Sequence, residues 1–200
     1  SPQMQTKLPL ECDVRYYESF IEEEQANCLF DFISKRMNTD NHQMQLENGE
    51  LFEMNIGRCF FLEEHLWDLP CFMKVHGEKI SWPKPLLHYK EKIEKITGKK
   101  FDVGSVSYYK DGTKEITYHV DYPYFGTVDC VPSLSIGATR TFGLRNIKNP
   151  SNELQIELKN GDVLIMGPDC QYTYEHAILI DSEVTTPRVN ITFWQLNKYI

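Results

Sequence analysis

The sequence lacks three features that would each indicate a different class of protein. No stretch approaches the roughly 18 consecutive apolar residues of a membrane-spanning helix. The first residues contain neither the basic start nor the apolar segment of a secretory signal. The six cysteines include no C-x-x-C pair, which argues against a zinc site and against a compact disulfide framework. We therefore expect a soluble intracellular protein with reduced thiols, in the nucleus or the cytoplasm.

An excess of positive charge is also missing. The chain has 21 lysines and arginines against 29 acidic residues, a net charge of -8, which opposes long-range attraction to a polyphosphate. A local basic patch would act at short range because salt screens distant charges. Six lysines provide the most basic region: Lys84, Lys90, Lys92, Lys95, Lys99 and Lys100. A solvated helix face explains this region, and a phosphate-facing patch is the alternative.

The composition supports one domain that spans residues 1–200. A chain of 200 residues with 41% hydrophobic content can bury one core. Up to about residue 100 the apolar spacing is mainly helical, and from Phe101 onward it changes to a period of two. We expect the first half to carry a supporting helix and a substrate-covering lid, and the second half to form a β core.

The first half contains two amphipathic patterns. A short strand at 14–17 precedes a helix that begins near Phe20, with Ser19 as its N-cap, and continues to Met37. The polar segment Asn38 to Glu50 is predicted to be a loop. A second helix follows Trp82 and ends at Gly98.

The second half contains about eight short segments with strand periodicity. They are residues 103–109, 116–120, 133–136, 139–144, 154–158, 163–166, 176–180 and 189–196. Asn160-Gly161 is a strong hairpin signal between two of them. Eight such strands predict a mainly β protein with flanking helices (α+β), built on a double-stranded β-helix, or jelly roll.

A metal site is predicted from three residues. His119 and Asp121 are two apart in an extended segment, so their side chains point to the same face. Together with His176 they would supply two imidazoles and one carboxylate, the ligand set of non-haem Fe(II) oxygenases. Since chance H-x-D pairs are common, the alternative is two ordinary strand histidines and a turn aspartate.

A binding site for a carboxylate is predicted twelve residues beyond His176. Arg188, Asn190 and Thr192 share one face of a strand. A guanidinium held there would bind a carboxylate through two parallel hydrogen bonds. A surface salt bridge for Arg188 and a plain strand role for Thr192 are the alternatives.

The order of these motifs resembles the AlkB-like family of Fe(II)/2-oxoglutarate dioxygenases. The resemblance covers H-x-D at 119–121, His176, R-x-N-x-T-F at 188–193 and Tyr-Lys-Asp-Gly at 109–112, and runs from about Trp82 to Leu196. It implies Fe(II) on His119, Asp121 and His176, with 2-oxoglutarate as co-substrate and dioxygen as oxidant. It also implies that Arg188 holds the far carboxylate of 2-oxoglutarate.

The resemblance further implies that Tyr109 and Asn190 are hydrogen-bond partners of 2-oxoglutarate. Two positions depart from the family pattern. Trp194 stands where members that repair nucleic acid usually have a second arginine, and Ser107 stands where an asparagine is common. An indole has one N–H donor and cannot form the two hydrogen bonds of an arginine with a carboxylate.

Residues that contact the substrate are less apparent in the sequence. The family has a lid near residues 51–62, where an aromatic can stack on a base, and Arg58 and Phe60 are the residues here that could serve. Core packing is the alternative for both. Tyr122 and Tyr124 follow the metal-binding aspartate and could border the pocket.

The activity expected from this resemblance is oxidative demethylation of N-alkylated bases in DNA or RNA, by a monomer that does not bind membranes. The same chemistry on a protein side chain or a small molecule is the main alternative, which the acidic charge favours. A binding module that has lost catalysis is a lesser alternative.

Overall fold

The computed structural model describes residues 4–46, 48–73 and 77–197. Within these residues there are fourteen strands: β1 (Gln5–Lys7), β2 (Val14–Tyr17), β3 (Gln43–Gln45), β4 (Leu51–Glu53), β5 (Gly57–Phe61), β6 (Glu78–Ile80), β7 (Val103–Tyr109), β8 (Ile116–His119), β9 (Val131–Gly137), β10 (Arg140–Asn146), β11 (Glu153–Leu158), β12 (Val163–Met166), β13 (Tyr174–Ile178) and β14 (Arg188–Trp194). The α-helices are α1 (Glu23–Ser34), α2 (Pro70–Met73), α3 (Lys84–Thr97) and α4 (Cys170–Thr173), and a 3-10 helix covers Glu64–Leu66.

Two sheets form the body of the protein. The larger has eight strands in the order β1-β2-β12-β9-β14-β7-β5-β6, and the smaller has four in the order β11-β10-β13-β8. One apolar cluster lies between the two sheets, and it includes Val131, Leu144 and Leu164. The predicted mainly β fold with a jelly-roll core and flanking helices is confirmed.

The central strand β14 shows why the large sheet is covered on both faces. Val189, Ile191 and Phe193 point to one side, where they join the core that α1 and α3 cover. Arg188 and Asn190 point to the other side, towards the small sheet, because successive side chains of a strand alternate between faces. Polar side chains are therefore held between two sheets on a rigid element.

Both predicted helices are present, but the start of the first differs from the prediction. Helix α1 begins at Glu23, not near Phe20, and Ser19 is not its cap. Ser19 has a φ of 51° and its backbone N–H donates to the buried carboxylate of Asp162 at 2.9 Å. This contact between distant segments replaces the local cap. Gly98 ends α3 as predicted, with a φ of 69° that suits glycine.

The segment predicted as a loop at 38–50 contains a strand. Residues 43–45 pair antiparallel with residues 51–53, so β3 and β4 form a separate hairpin. All three residues of β4 are exposed, including Leu51 and Phe52. Because no buried face imposes alternation, the sequence pattern carries little strand signal there.

The first half of the chain contributes more to the sheet than a supporting helix. Strands β1 and β2 extend one edge of the large sheet, while β5 and β6 extend the other. Strand β5 pairs with β7, which places Arg58 beside Ser107 on the face that looks towards the small sheet. Among the described residues there is no helix with the length and apolar character needed to cross a bilayer.

Candidate metal centre

Three side chains with metal-binding atoms meet at one end of the space between the sheets. His119 ends β8 and lies opposite His176 of β13, and Asp121 follows two residues later. The carboxylate Oδ1 of Asp121 is 3.6 Å from Nε2 of His119 and 3.5 Å from Nε2 of His176. One ligand atom from each residue lies within 4.8 Å of the other two, and no second cluster of this kind occurs in the described residues.

The hydrogen bonds of the site prepare His119 to bind a metal through Nε2. Its Nδ1 is 2.8 Å from the carbonyl oxygen of Thr117, so an N–H at Nδ1 donates there and fixes the orientation of the ring. Burial opposes a charged imidazole, but the carboxylate of Asp121, 3.6 Å away, and the hydrogen bond to Thr117 outweigh it and raise the pKa of His119 above 6.5. A metal would replace the proton at Nε2.

Asp121 is charged at neutral pH. Burial raises its pKa, but the hydrogen bonds with the imidazoles of His119 and His176 outweigh that effect and lower the pKa well below its usual range. The backbone N–H of Asp121 donates to Oε1 of Gln171 at 2.7 Å. The ring of His176 stacks on Phe142, with centroids 5.6 Å apart. The ligands are thus held by neighbours from several elements.

These residues fit Fe(II). Two imidazole nitrogens and one carboxylate oxygen on one side of an ion leave other coordination positions open. Ligands at about 2.1 Å from a shared ion lie roughly 3 Å apart when they are at right angles, and the observed separations of 3.5 and 3.6 Å are close to this. Small side-chain movements would bring all three atoms to bonding distance.

Arg188 lies in the same cavity and is 1% exposed. Its Nη2 donates to Oγ of Ser135 at 2.8 Å, but its Nε and Nη1 are buried without a hydrogen-bond partner among the described residues. Burial lowers the pKa of this guanidinium, and the contact with Tyr109 opposes the shift. Two unsatisfied charged donors in a cavity are a binding site for an oxygen anion.

The remaining residues predicted to bind the co-substrate line the same cavity. Tyr109 lies under Arg188, with the guanidinium carbon 5.2 Å from the ring centroid. The amide of Asn190 donates to Oγ of Ser133 at 2.6 Å, and its oxygen accepts from the hydroxyl of Thr192 at 2.9 Å. These hydrogen bonds fix the rotamer of Asn190, so that polar side chains line the cavity beside Arg188.

The cavity has a volume of about 110 Å³. Its walls include the three metal-binding residues, Arg188, Asn190, Thr192 and Trp194. Trp194 donates its single N–H to Oγ of Ser105 at 2.8 Å. Its donor is therefore engaged within the protein, and the indole contributes shape to the cavity.

The four residues predicted to contact substrate lie in different places relative to the cavity. Arg58 lines the cavity. Phe60 is 6% exposed and packs against Phe125 in an apolar cluster, so core packing describes it. Tyr122 and Tyr124 lie outside the cavity and are 76% and 44% exposed. Any contact between these tyrosines and a substrate would be made at the surface.

Sequence reasoning did not identify Gln171, Ser133 or Ser135 as parts of the site. Gln171 belongs to the four-residue helix α4, and no motif marks it. The two serines alternate with apolar residues on β9, which pairs with β14. The hydroxyl oxygen of Ser135 accepts from Arg188, and that of Ser133 accepts from Asn190. Polar residues at every second position of a buried strand are a usable signal for a site.

The sequence and the fold are similar to those of known proteins. The sequence model of the 2OG-Fe(II) oxygenase superfamily matches residues 13–193. An uncharacterised protein, R406 of Acanthamoeba polyphaga mimivirus, is 39% identical over 115 residues, which cover 56% of this chain and 59% of that protein.

Two human proteins match a similar share of the chain. Alpha-ketoglutarate-dependent dioxygenase alkB homolog 3 is 31% identical over 121 residues, 56% of this chain and 42% of that protein. DNA oxidative demethylase ALKBH2 is 30% identical over 123 residues, 56% of this chain and 47% of that protein. The chain thus spans about half the length of the curated relatives that it matches.

A solved structure has the same fold. The structure of OsALKBH1 aligns with a TM-score of 0.60 and covers 95% of this chain and 100% of that one. The identity is 15%, so this likeness concerns the arrangement of the strands.

Proposed function

Because the chain belongs to the 2OG-Fe(II) oxygenase superfamily, we propose that it is an Fe(II)- and 2-oxoglutarate-dependent dioxygenase that oxidatively removes alkyl groups from base nitrogens in DNA or RNA. The predicted resemblance to the AlkB-like family is confirmed by the alkB homologues among its relatives. The names of two relatives, a dioxygenase and a DNA oxidative demethylase, support the choice of reaction.

One observation carries the proposal. Arg188 lines the cavity that also contains His119, Asp121 and His176, and its Nε and Nη1 are buried without a hydrogen-bond partner among the described residues. A buried cation with unpaired N–H donors destabilises the folded protein unless a bound anion accepts hydrogen bonds from those donors. A metal site and an anion site in one small cavity are what an iron enzyme with a dicarboxylate co-substrate requires.

The roles of the residues follow from their contacts. His119, Asp121 and His176 would hold Fe(II), and Arg188 would bind the far carboxylate of 2-oxoglutarate, with Tyr109 and Asn190 alongside. Fe(II), 2-oxoglutarate and dioxygen together supply an oxidant that hydroxylates a C–H bond, with succinate and carbon dioxide as co-products. The hydrogen bonds to Thr117 and Gln171 orient the ligands.

The substrate side of the proposal concerns the cavity mouth. Arg58 lines the cavity, and the exposed rings of Tyr122 and Tyr124 offer surfaces on which bases could stack. Stacking depends little on salt, whereas phosphate contacts do. With a net charge of -8, a nucleic acid would be bound through such contacts more than through long-range attraction.

The same chemistry on a protein side chain or a small molecule is a second candidate function. The acidic net charge favours it, because a polyphosphate is repelled at a distance. The small cavity of about 110 Å³ accepts a methyl group from any of these substrates. The two functions therefore differ in what binds at the mouth and not in the reaction.

Release of succinate and formaldehyde tests the proposal. The protein, in whatever oligomeric state it adopts, would be incubated with Fe(II), 2-oxoglutarate and oligonucleotides that carry N-methylated bases. Parallel reactions would contain methylated peptides or small methylated amines in place of the oligonucleotides. We expect both products with an oligonucleotide, since a hydroxylated N-methyl group leaves as formaldehyde. Products with the other panels alone would favour the second function, and no succinate from iron-loaded protein with any panel would refute dioxygenase activity.

A further inference from the structure

Arg58 is the second cation of the cavity. It is partly buried, it lines the cavity with Arg188, and within the described part of the chain it makes no ion pair or hydrogen bond. Its one close partner is the ring of Phe60, 5.5 Å from the guanidinium carbon. A guanidinium that lines a cavity and makes no ion pair or hydrogen bond retains its donors for a bound anion.

The register of the large sheet places Arg58 at a useful distance from Arg188. Arg58 pairs with Ser107, and Ser107 pairs with Asn190, which is two residues beyond Arg188 on β14. Two strand spacings and two residues correspond to roughly 12 Å between the Cα atoms of the two arginines. The carboxyl carbons of a five-carbon diacid are roughly 5 Å apart, so such a diacid reaches both guanidinium groups with one hydrogen-bonded contact at each end.

Arg58 lies on β5, which packs against the segment that follows the metal-binding Asp121, because the rings of Phe60 and Phe125 have centroids 6.4 Å apart. Burial lowers the pKa of Arg58, and negative groups that include Asp121 oppose the shift. Its charge also acts on His119, although burial and the hydrogen bonds of that imidazole have larger effects on its pKa. Trp194 does not compete for this role, because its single donor is bonded to Ser105.

We propose that Arg58 binds the carboxylate next to the keto group of 2-oxoglutarate, while Arg188 binds the far carboxylate. The inference rests on the proposed function, since it assumes that co-substrate. Arg58 thus supplies from β5 a cation that Trp194, on β14, does not supply. Arg58 then belongs to the co-substrate site, and substrate recognition falls to other residues at the mouth.

Anaerobic calorimetry with Fe(II) present tests the inference by binding, without turnover. The variants are Arg58→Met, Arg188→Met and Arg36→Met, the last a control because Arg36 is exposed on the opposite, helix-covered side. The ligands are 2-oxoglutarate and 2-oxopentanoate, which keeps the keto acid end and lacks the far carboxylate. We expect Arg58→Met to weaken both ligands by about 10- to 100-fold, Arg188→Met to weaken 2-oxoglutarate alone, and Arg36→Met to change neither.

The outcomes separate the two proposals. If the parent protein does not bind 2-oxoglutarate, the proposed function fails and this inference fails with it. If the parent binds it and Arg58→Met leaves the affinity within threefold, the inference alone is overturned. A loss confined to 2-oxoglutarate would place Arg58 on the wrong carboxylate and would also overturn it.

A different observation concerns two cysteines that are 158 positions apart in the sequence. Sγ of Cys170, at the start of α4, lies 2.7 Å from Sγ of Cys12, just before β2. A disulfide bond measures about 2.0 Å, so a shift of roughly 0.7 Å would bring the sulfurs to bonding distance. Both cysteines are free and buried.

We propose, independently of the enzymatic function, that Cys12 and Cys170 form a disulfide when the protein meets a peroxide. The thiol of Cys170 donates its hydrogen bond to the sulfur of Cys12. This bond lowers the pKa of Cys12, against the effect of burial. Cys12 is therefore the more acidic of the two thiols.

The step balances with hydrogen peroxide as the oxidant. The sulfur of Cys12 attacks one peroxide oxygen, the O–O bond breaks, and one water leaves after protonation, which gives a sulfenic acid. The sulfur of Cys170 then attacks the oxidised sulfur, loses its proton and expels the second water. Two thiols and one peroxide become one disulfide and two waters.

The disulfide would join the segment before β2 to α4. Helix α4 carries Gln171, which accepts the backbone N–H of the metal-binding residue Asp121. The cross-link therefore connects the edge of the large sheet to an element that positions the metal site. It closes a loop between residues 158 positions apart, so the oxidised protein should unfold at a higher temperature.

Peptide mapping after peroxide treatment tests the pair. The parent and the Cys28→Ser variant, which lacks an exposed cysteine, would be treated with peroxide, unfolded, alkylated and digested without reductant. We expect a peptide that links Cys12 to Cys170 in both proteins, and its disappearance after reduction. Alkylated Cys12 and Cys170, a link from Cys12 to a different cysteine, or sulfinic acid at Cys12 would each overturn the proposal.

Discussion

Replacement of Arg188 by methionine should separate stability from co-substrate binding. In the free protein, Arg188 is 1% exposed and two of its nitrogens have no partner among the described residues. An unpaired buried charge costs several kcal/mol, and its replacement by an apolar side chain of similar volume is often neutral or stabilising by about 1–4 kcal/mol. The bond to Ser135 at 2.8 Å offsets part of this, by about 1.5–3 kcal/mol for a bond from a charged group.

When 2-oxoglutarate is bound, Arg188 is expected to stabilise the complex, because a carboxylate then pairs with the buried charge. A carboxylate would accept two parallel N–H bonds, one from an unpaired nitrogen of Arg188 (Nε or Nη1) and one from the N–H of Nη2 that does not bond to Ser135, and each such bond contributes about 1.5–3 kcal/mol. Loss of both amounts to about 3–6 kcal/mol, or roughly 10²- to 10⁴-fold in affinity for 2-oxoglutarate. Arg188→Met should therefore bind 2-oxoglutarate at least a hundredfold more weakly while it unfolds at nearly the same urea concentration as the parent, or a higher one.

Urea unfolding of the metal-free proteins and anaerobic calorimetry of the iron-loaded proteins provide the two measurements. The reasoning would be refuted by a variant that is destabilised by more than about 2 kcal/mol and binds 2-oxoglutarate with parental affinity. That result would mean that Arg188 is a structural cation whose missing partner lies within the protein.

Three further predictions concern the metal site and the core. His119→Ala should abolish metal-dependent succinate release, whereas His65→Ala, at an exposed position, should leave it unchanged; equal rates in all three proteins would show that His119 is not a ligand. Since the pKa of His119 is raised above 6.5 while that of Asp121 is lowered, protons compete with the metal at His119. Metal affinity should therefore fall as the pH drops through a midpoint above 6.5, and an affinity that stays constant there would contradict the assigned shift. Phe193→Ala, which removes a ring stacked on Trp82 at 5.7 Å, should reduce the free energy of unfolding by about 3–5 kcal/mol, and urea unfolding with an unchanged midpoint would contradict this.

The strands of the second half were predictable because burial there has a simple period. Residues 103–109 and 163–166 form strands with the predicted bounds, and the others differ by a few residues at their ends. The pairing of β5 with β7 was not predictable, because it joins residues about 50 positions apart and no local signal marks the partner. For the same reason the sequence did not show that Arg58 would lie beside Ser107.

Two features that the sequence analysis misplaced or missed, the start of α1 and the short helix α4, have separate physical reasons. Ser19 has the composition of a helix cap, but Asp162 from the other end of the chain accepts its N–H and shifts the start of α1 to Glu23. The short helix α4 was missed since four residues are too few to show a period. The error at Ser19 arises where a long-range contact competes with a local propensity.

The sequence by itself indicated the chemistry of the site: His119, the last residue of β8, and Asp121 are two positions apart, so an extended backbone there places both side chains on one face. Tertiary structure alone decided the rest, because His176 joins them through the pairing of β13 with β8, and Arg188 is left with free donors by packing between two sheets. Strand periodicity is a local property that a sequence carries directly, whereas the convergence of distant side chains depends on strand pairing across the whole chain.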